Sequence, residues 1–129
     1  MSNFDESHIN KAIEYAQTHC ARPHITYTQL FLAADIQTPQ WYHQNGGQGV
    51  IRDFMEAFHI ACRKRGLPPF DAFVVNESGE RAHFPGVGYF TVNGLKDPLS
   101  EKTTKSEAEF SLGFQRDERE AIREWCRNH

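Results

Sequence analysis

The sequence has few cysteines, and none of them forms a close pair. Its three thiols belong to Cys20, Cys62 and Cys126. A secreted disulfide framework would show an even number of cysteines at tighter spacing. The first residues are acidic rather than apolar, which is not the pattern of a signal peptide. No apolar run approaches the roughly 20 residues of a membrane helix. These absences predict a cytoplasmic protein.

Positive charge is also scarce. The chain carries 14 Lys and Arg against 17 Asp and Glu, a net charge of −3 with neutral histidines. Proteins that coat nucleic acid with their whole surface are usually basic, so that class is excluded. A local basic face is still compatible with the sequence, because Arg52 and the run Arg63-Lys64-Arg65 lie together in the middle of the chain.

No short motif of a catalytic or metal site is present. No serine or cysteine lies in a GxSxG or cysteine-protease context, and none of the seven histidines forms an HxH or HExxH pair. Gly86 and Gly88 lack the third glycine and the lysine of a phosphate loop. We therefore predict no catalytic residue, no metal site and no cofactor, and we expect Cys62 and Cys126 to be buried thiols.

A dispersed site is the alternative that the residues leave open. His24, His59 and His83 are far apart in sequence from one another, and Asp71 is a carboxylate that could join them. Such a set forms a site only if the fold brings its members together.

What the sequence does contain is enough bulky apolar material for one core. Ten Phe, four Tyr and two Trp occur in 129 residues, a length that fits one domain. We predict a single domain over residues 1–129, with its core at about 5–92 and a C-terminal loop and helix over 93–129.

The patterning predicts an α+β fold. Apolar periodicity and capping residues predict helices, and β-prone runs bounded by turn residues predict strands. The helices are expected at 3–20 with Asn3 as its cap, at 29–35 with Thr28 as its cap, at 48–65, and at 116–127 with Ala121 and Ile122 on its inner face. The strands are expected at 25–27, 70–75 and 81–91, and a polar loop at 93–107. This order is that of a winged helix-turn-helix, with helices packed on a small β-hairpin and an extra C-terminal helix.

The third predicted helix offers the best candidate for a binding face. At about 100° per residue, its polar side chains fall within an arc of about 80° beside the apolar stripe. These side chains are Gln48, Arg52, Glu56, His59 and Arg63. Arg and Gln are the residues that reach guanine and adenine edges in a major groove. An ordinary solvated face with an Arg52–Glu56 pair is the alternative interpretation.

One stretch resembles a known family. The segments Ile25-Thr26-Tyr27-Thr28-Gln29-Leu30 and Leu67-Pro68-Pro69-Phe70-Asp71-Ala72-Phe73-Val74-Val75, with a long helix between them, resemble the winged-helix DNA-binding domain of the alkylguanine-DNA alkyltransferases and their non-catalytic relatives. The resemblance covers about residues 25–79. It implies a winged-helix fold and DNA binding, and it implies that Tyr27 contacts the phosphate backbone.

The chain departs from that family at the positions of its chemistry. Phe70, Asp71 and Ala72 stand where the family has its reactive Cys, His and Arg, so the resemblance implies no alkyl transfer. Gln48 falls near the family's base-stack arginine. The segments around 65–76 and 85–90 also resemble a pattern in small uncharacterised bacterial proteins, which implies a bacterial or phage source.

Three functions follow as expectations. The first is a non-catalytic nucleic-acid-binding module, with DNA as its partner, using Gln48, Arg52, His59 and Arg63, with Arg81 on the wing and Tyr27 on the backbone. The second is a protein-interaction component such as an accessory subunit, an antitoxin-like partner or an inhibitor. The third is a small metal-dependent hydrolase or nuclease with a dispersed site.

Overall fold

The computed structural model describes residues 4–36 and 48–129, apart from the side chains of Gln48 and Val50. The described elements are helix α1 (Glu6–Thr18), strand β1 (Ile25–Thr26), helices α2 (Tyr27–Ala33) and α3 (Gln48–Lys64), a 3-10 turn (Phe70–Phe73), strand β2 (Val74–Val75), and helices α4 (Val87–Val92) and α5 (Lys105–Asn128). The fold is α+β, as predicted, and most of its elements are helices.

The first two helices begin at capping residues that differ from the predicted ones. Asp5 caps α1 by accepting from the backbone N–H groups of Ser7 and His8. Thr26, not Thr28, caps α2 in a reciprocal box with Gln29, so this helix starts directly after β1. The predicted cap Asn3 lies outside the described residues.

Helix α3 follows its prediction closely. The apolar stripe forms the centre of the core, where Phe54, Phe58 and Cys62 are completely buried. Gly66 ends the helix with a positive φ of 67°, the left-handed conformation that glycine adopts at low cost. Helix α1 packs against both α2 and α3.

The predicted β-hairpin is wrong. Strand β2 pairs in parallel with β1, with Ile25 opposite Val74 and Thr26 opposite Val75. The expected return strand gives only an isolated bridge between Asn76 and Ala82, and Val87–Val92 is helical. Two adjacent residues of that helix, Tyr89 and Phe90, are both buried, which suits one helical turn better than a strand that alternates its faces.

Helix α5 is longer than predicted. Thr104 caps it in a box with Glu107, and its inner face buries Ser111, Gln115 and Ile122. The prediction placed Ala121 on that inner face, but Ala121 is exposed. The buried face of α5 therefore consists of two polar residues, Ser111 and Gln115, followed by Ile122.

A disulfide joins the ends of α1 and α5. Cys20 and Cys126 are bonded, with their Cα atoms 5.7 Å apart and 106 positions between them in sequence. The prediction of a free, buried thiol is wrong for Cys126 and confirmed for Cys62. The error arose because two cysteines at this distance in sequence give no spacing signal.

The described residues contain no helix that is both long enough and apolar enough to cross a membrane.

Candidate functional site

Tyr27 holds the loop before α4. Its hydroxyl accepts a hydrogen bond from the backbone N–H of Gly86 at 2.7 Å. Burial raises the pKa of this phenol to about 12. A Cβ atom added at Gly86 would lie 3.4 Å from the Tyr27 oxygen, so the backbone and the phenol approach each other closely here. The hydroxyl that was predicted to contact phosphate is therefore committed to the protein's own backbone.

His59 and Asp71 form a buried pair. The Nδ1–H of His59 donates to Oδ2 of Asp71 at 2.7 Å, and the two residues are only 5% and 3% exposed. The other carboxylate oxygen, Oδ1, is buried with no hydrogen-bond partner among the described residues. The fold thus brings together two members of the dispersed set, and it places His59 inside the protein rather than on the outer face of α3.

Arg81 is bound to a carboxylate. Its guanidinium donates twice to Asp97, at 2.9 and 3.1 Å, and once to the carbonyl of Pro85 at 2.8 Å. Such a forked pair is among the stronger polar contacts in proteins. Arg81 therefore ties the loop before α4 to the loop before α5 and does not extend from a wing.

Arg52 and Arg63 are the two predicted contacts that lie on the surface. The Arg52 side chain is 69% exposed, and the nearest carboxylate, on Asp53, is 4.0 Å away. Arg63 is exposed and donates to the side chain of Asn93 at 3.1 Å. Eleven residues of helix bring the two arginines to the same side, about 17 Å apart along the axis. The side chain of Gln48 lies outside the described residues.

A second polar contact, between α4 and α5, lies near the buried pair. The Tyr89 hydroxyl donates to Oε1 of Glu118 at 2.6 Å. Burial raises the pKa of Glu118, and the charges of Asp71, Arg63 and His59 all act on it, so these groups lie near one another. Glu118 lies within the helix that was predicted at 116–127, but the apolar periodicity did not single it out as a candidate site residue.

The free thiol of Cys62 lies close enough to Asp71 to be affected by its charge. Cys62 is completely buried, and burial together with the charge of Asp71 raises the pKa of its thiol to about 12. A thiol in this state is protonated and inert at neutral pH. Across residues 4–36 and 48–129, no three His, Cys, Asp or Glu side chains are grouped so that they could hold a metal ion.

The pKa of Glu118 leads to a pH-dependent prediction. A carboxyl whose pKa is raised on folding binds its proton more tightly in the folded state, so its contribution to stability decreases as the pH rises through that pKa. We expect Glu118→Gln, which keeps an acceptor for Tyr89, to be at least as stable as the wild type at pH 8. The difference in free energy of unfolding between Glu118→Gln and the wild type should be smaller at pH 4, where Glu118 is more often protonated. Urea unfolding at both values measures this, and an advantage that grows on acidification would contradict it.

A second pair of histidines meets on another part of the molecule. The rings of His24 and His83 lie with their centroids 5.4 Å apart, at an angle of 53°. All four members of the dispersed set are thus found in two pairs, His59 with Asp71 and His24 with His83.

Comparison of the chain with protein-family models, with curated proteins and with solved structures finds no match in any of the three.

Proposed function

We propose that this protein is a non-catalytic nucleic-acid-binding module that contacts DNA with the outer face of α3. The observation that carries the proposal is the exposed pair Arg52 and Arg63, which lie on one side of a well-packed helix. Arginine is the side chain that most often contacts phosphates and guanine edges.

Rigid support behind this face favours the proposal. Phe54, Phe58 and Cys62 fix the inner side of α3 in the core. Asn93, at the end of α4, orients the Arg63 guanidinium. A helix held in this way loses little backbone entropy on binding, although the exposed Arg52 side chain still has rotamer freedom to lose.

The proposal differs from the winged-helix expectation in its contact set. Tyr27, His59 and Arg81 have partners within the protein, so the interface is reduced to α3 and its surroundings. The relationship to the alkyltransferase domain is part of the proposal, and so is a cytoplasmic setting. In the cytoplasm Cys20 and Cys126 would be kept reduced, and DNA binding is best measured with and without reductant.

The test is fluorescence anisotropy with short single- and double-stranded DNA over a series of salt concentrations. Each phosphate contact contributes about 0.9 to the slope of log affinity against log salt. We expect Arg52→Ala/Arg63→Ala to weaken binding by roughly tenfold or more and to lower that slope by roughly 2.

A charge-matched variant separates the α3 face from net charge. Arg116→Ala/Arg127→Ala removes the same two charges from exposed positions on α5. It should keep the wild-type affinity to within a small factor. Equal loss in both double variants, or no binding to either DNA at low salt, would refute the α3 interface.

Exposed apolar residues favour a second candidate, a protein-interaction component. Ile60 on α3 is 44% exposed and Val87 on α4 is 50% exposed, and these two helices pack against each other. Apolar residues near arginines are typical of protein interfaces. The test is to recover a stoichiometric complex of the wild-type protein from cell extract and to repeat the recovery with Ile60→Glu/Val87→Glu. If the double variant loses the complex and the wild type does not bind DNA, the protein-interaction function replaces the DNA-binding one.

A further inference from the structure

Three nitrogen-bearing side chains meet beside the start of β1. His24 immediately precedes this strand, His83 lies in the segment after the Asn76–Ala82 bridge, and Arg119 comes from the middle of α5. The His24 and His83 rings lie 5.4 Å apart between centroids. Arg119 donates through Nη2 to the carbonyl of Pro23 at 2.8 Å, which holds its guanidinium next to His24.

The Arg119 guanidinium is only partly used by the protein. Its Nε is buried and has no hydrogen-bond partner among the described residues. The ion pairs of the described chain include none between Arg119 and a carboxylate. A half-buried guanidinium without a counter-charge is an attractive position for an anion.

His83 is held in a strained backbone conformation. Its φ is +68°, and Asp35 is the other residue besides glycines with a positive φ in the described chain. This left-handed conformation costs free energy for a residue with a Cβ, and such strain is found disproportionately at functional sites. Glycine would occupy this position with less strain, so the imidazole is present at the expense of stability.

The charged groups that act on this cluster are positive. His83 and Arg119 act on His24, and Arg123 acts on Arg119. Arg123 itself pairs with Glu120. No carboxylate is thus bound to the histidines or to Arg119 in the described part of the chain, which disfavours a metal cation and favours an anion.

We propose that His24, His83 and Arg119 form a binding site for a phosphate-type oxyanion. The guanidinium supplies a fixed positive charge and planar N–H donors, and the two imidazoles add donors and charge when they are protonated. A small phosphate ester and a nucleic-acid backbone both carry this group, and the site recognises the chemistry that the two share. This proposal does not depend on the α3 interface.

The site is pH-dependent. Burial, followed by the charges of His83 and Arg119, lowers the pKa of His24 from its ordinary value of 6.5. A bound anion offsets the repulsion between these groups and raises the pKa of His24 again. Affinity is therefore highest below that pKa and is lost as the pH rises through it.

The test follows the histidine ring protons by NMR while sulfate or inorganic phosphate is added at pH 5.5 and at pH 7.5. Sulfate keeps its charge over this range, so any pH dependence of its binding belongs to the protein. We expect the His24 and His83 signals to shift in a saturable way at pH 5.5, with affinity at least roughly fivefold weaker at pH 7.5. Sodium chloride at equal ionic strength controls for screening.

Two variants test the assignment without relying on a destabilised protein. His83→Gly removes one imidazole and relieves the backbone strain, so it should raise the melting temperature by a few degrees while weakening sulfate binding roughly tenfold at pH 5.5. Arg119→Gln should weaken binding by a similar factor or more. Asp35→Gly, at the other strained position, should leave sulfate affinity unchanged.

The two sources of phosphate are distinguished by a third titrant, a short single-stranded oligonucleotide without terminal phosphates. Shifts of His24 and His83 with inorganic phosphate identify a site for free or terminal phosphate groups, and shifts with the oligonucleotide alone identify a backbone phosphodiester site. Absence of shifts with every titrant at pH 5.5, or shifts that persist in His83→Gly and Arg119→Gln, would overturn the proposal.

Discussion

Loss of the Cys20–Cys126 disulfide is expected to lower the free energy of unfolding by about 2–5 kcal/mol. The bond closes a loop of 106 positions, and for a loop of about this length the chain-entropy treatment gives roughly 4–5 kcal/mol. It also fixes the C-terminal part of α5, where Trp125 packs edge-on against Phe70 with ring centroids 5.5 Å apart. We expect the melting temperature to fall by on the order of 10 °C.

Adding a reductant breaks the disulfide without changing any residue, and it therefore serves as a control for the cysteine substitutions. Wild-type protein in dithiothreitol should unfold at the same urea concentration as Cys20→Ala/Cys126→Ala, and the double variant should not respond to the reductant. Equal midpoints for oxidised and reduced wild type would show that the bond contributes nothing to stability. Cys62 is buried and free, so Cys62→Ala retains the response to reductant.

The second large effect is expected at the buried pair of His59 and Asp71. Removing one partner leaves the other polar group buried without its hydrogen bond, which typically costs about 1–3 kcal/mol and more for a charged group. Asp71→Ala should therefore destabilise strongly, because Nδ1 of His59 then has no acceptor. Asp71→Asn, which retains an oxygen near the ring, should cost less.

A double-mutant cycle separates the pair from its surroundings. We expect His59→Leu/Asp71→Leu to lose less unfolding free energy than the two single variants lose in sum. The difference, the coupling free energy measured by urea unfolding, should be about 2 kcal/mol. Strict additivity would mean that the contact at 2.7 Å contributes little. DNA affinity of the folded double variant should equal that of the wild type, because the α3 contact face does not include either side chain.

The sequence predicted the elements whose apolar periodicity is strong. Helix α3 was placed with nearly correct ends, since its buried stripe, its basic last turn and Gly66 all indicate the same helix. The short strand at Ile25 was also predicted. Its parallel pairing with Val74 was not, because pairing across 49 positions leaves no local pattern.

The segment 81–92 shows why the wing was wrongly predicted. Aromatic and β-branched residues there favour a strand by propensity, but tertiary contacts decide the outcome. Tyr27 binds the Gly86 N–H, Arg81 binds Asp97, and Tyr89 and Phe90 enter the core together. These interactions join residues 16 to 59 positions apart, which a periodicity analysis does not detect.

The candidate sites were predictable only as lists of residue types. Arg52 and Arg63 of the polar arc on α3 are exposed, but His59, which lies on the side of that arc next to the apolar stripe, is buried. His24 and His83 were named, yet Arg119 was not, because nothing in the sequence relates α5 to the start of β1. The pattern of charged residues in a sequence can predict which side of one helix is polar. It cannot predict a cluster whose side chains come from three separate segments.

The disulfide has a further consequence for how the molecule bears mechanical force. Cys20 and Cys126 enclose most of the chain, including β1, β2 and the whole of α3. A pulling force applied to the segments outside the two cysteines passes through the sulfur bridge, and the enclosed residues carry no tension. While the bridge is intact, stretching can extend only the flanking segments, and because one of these contains α1, its contacts with α2 and α3 are lost before the enclosed residues carry any load.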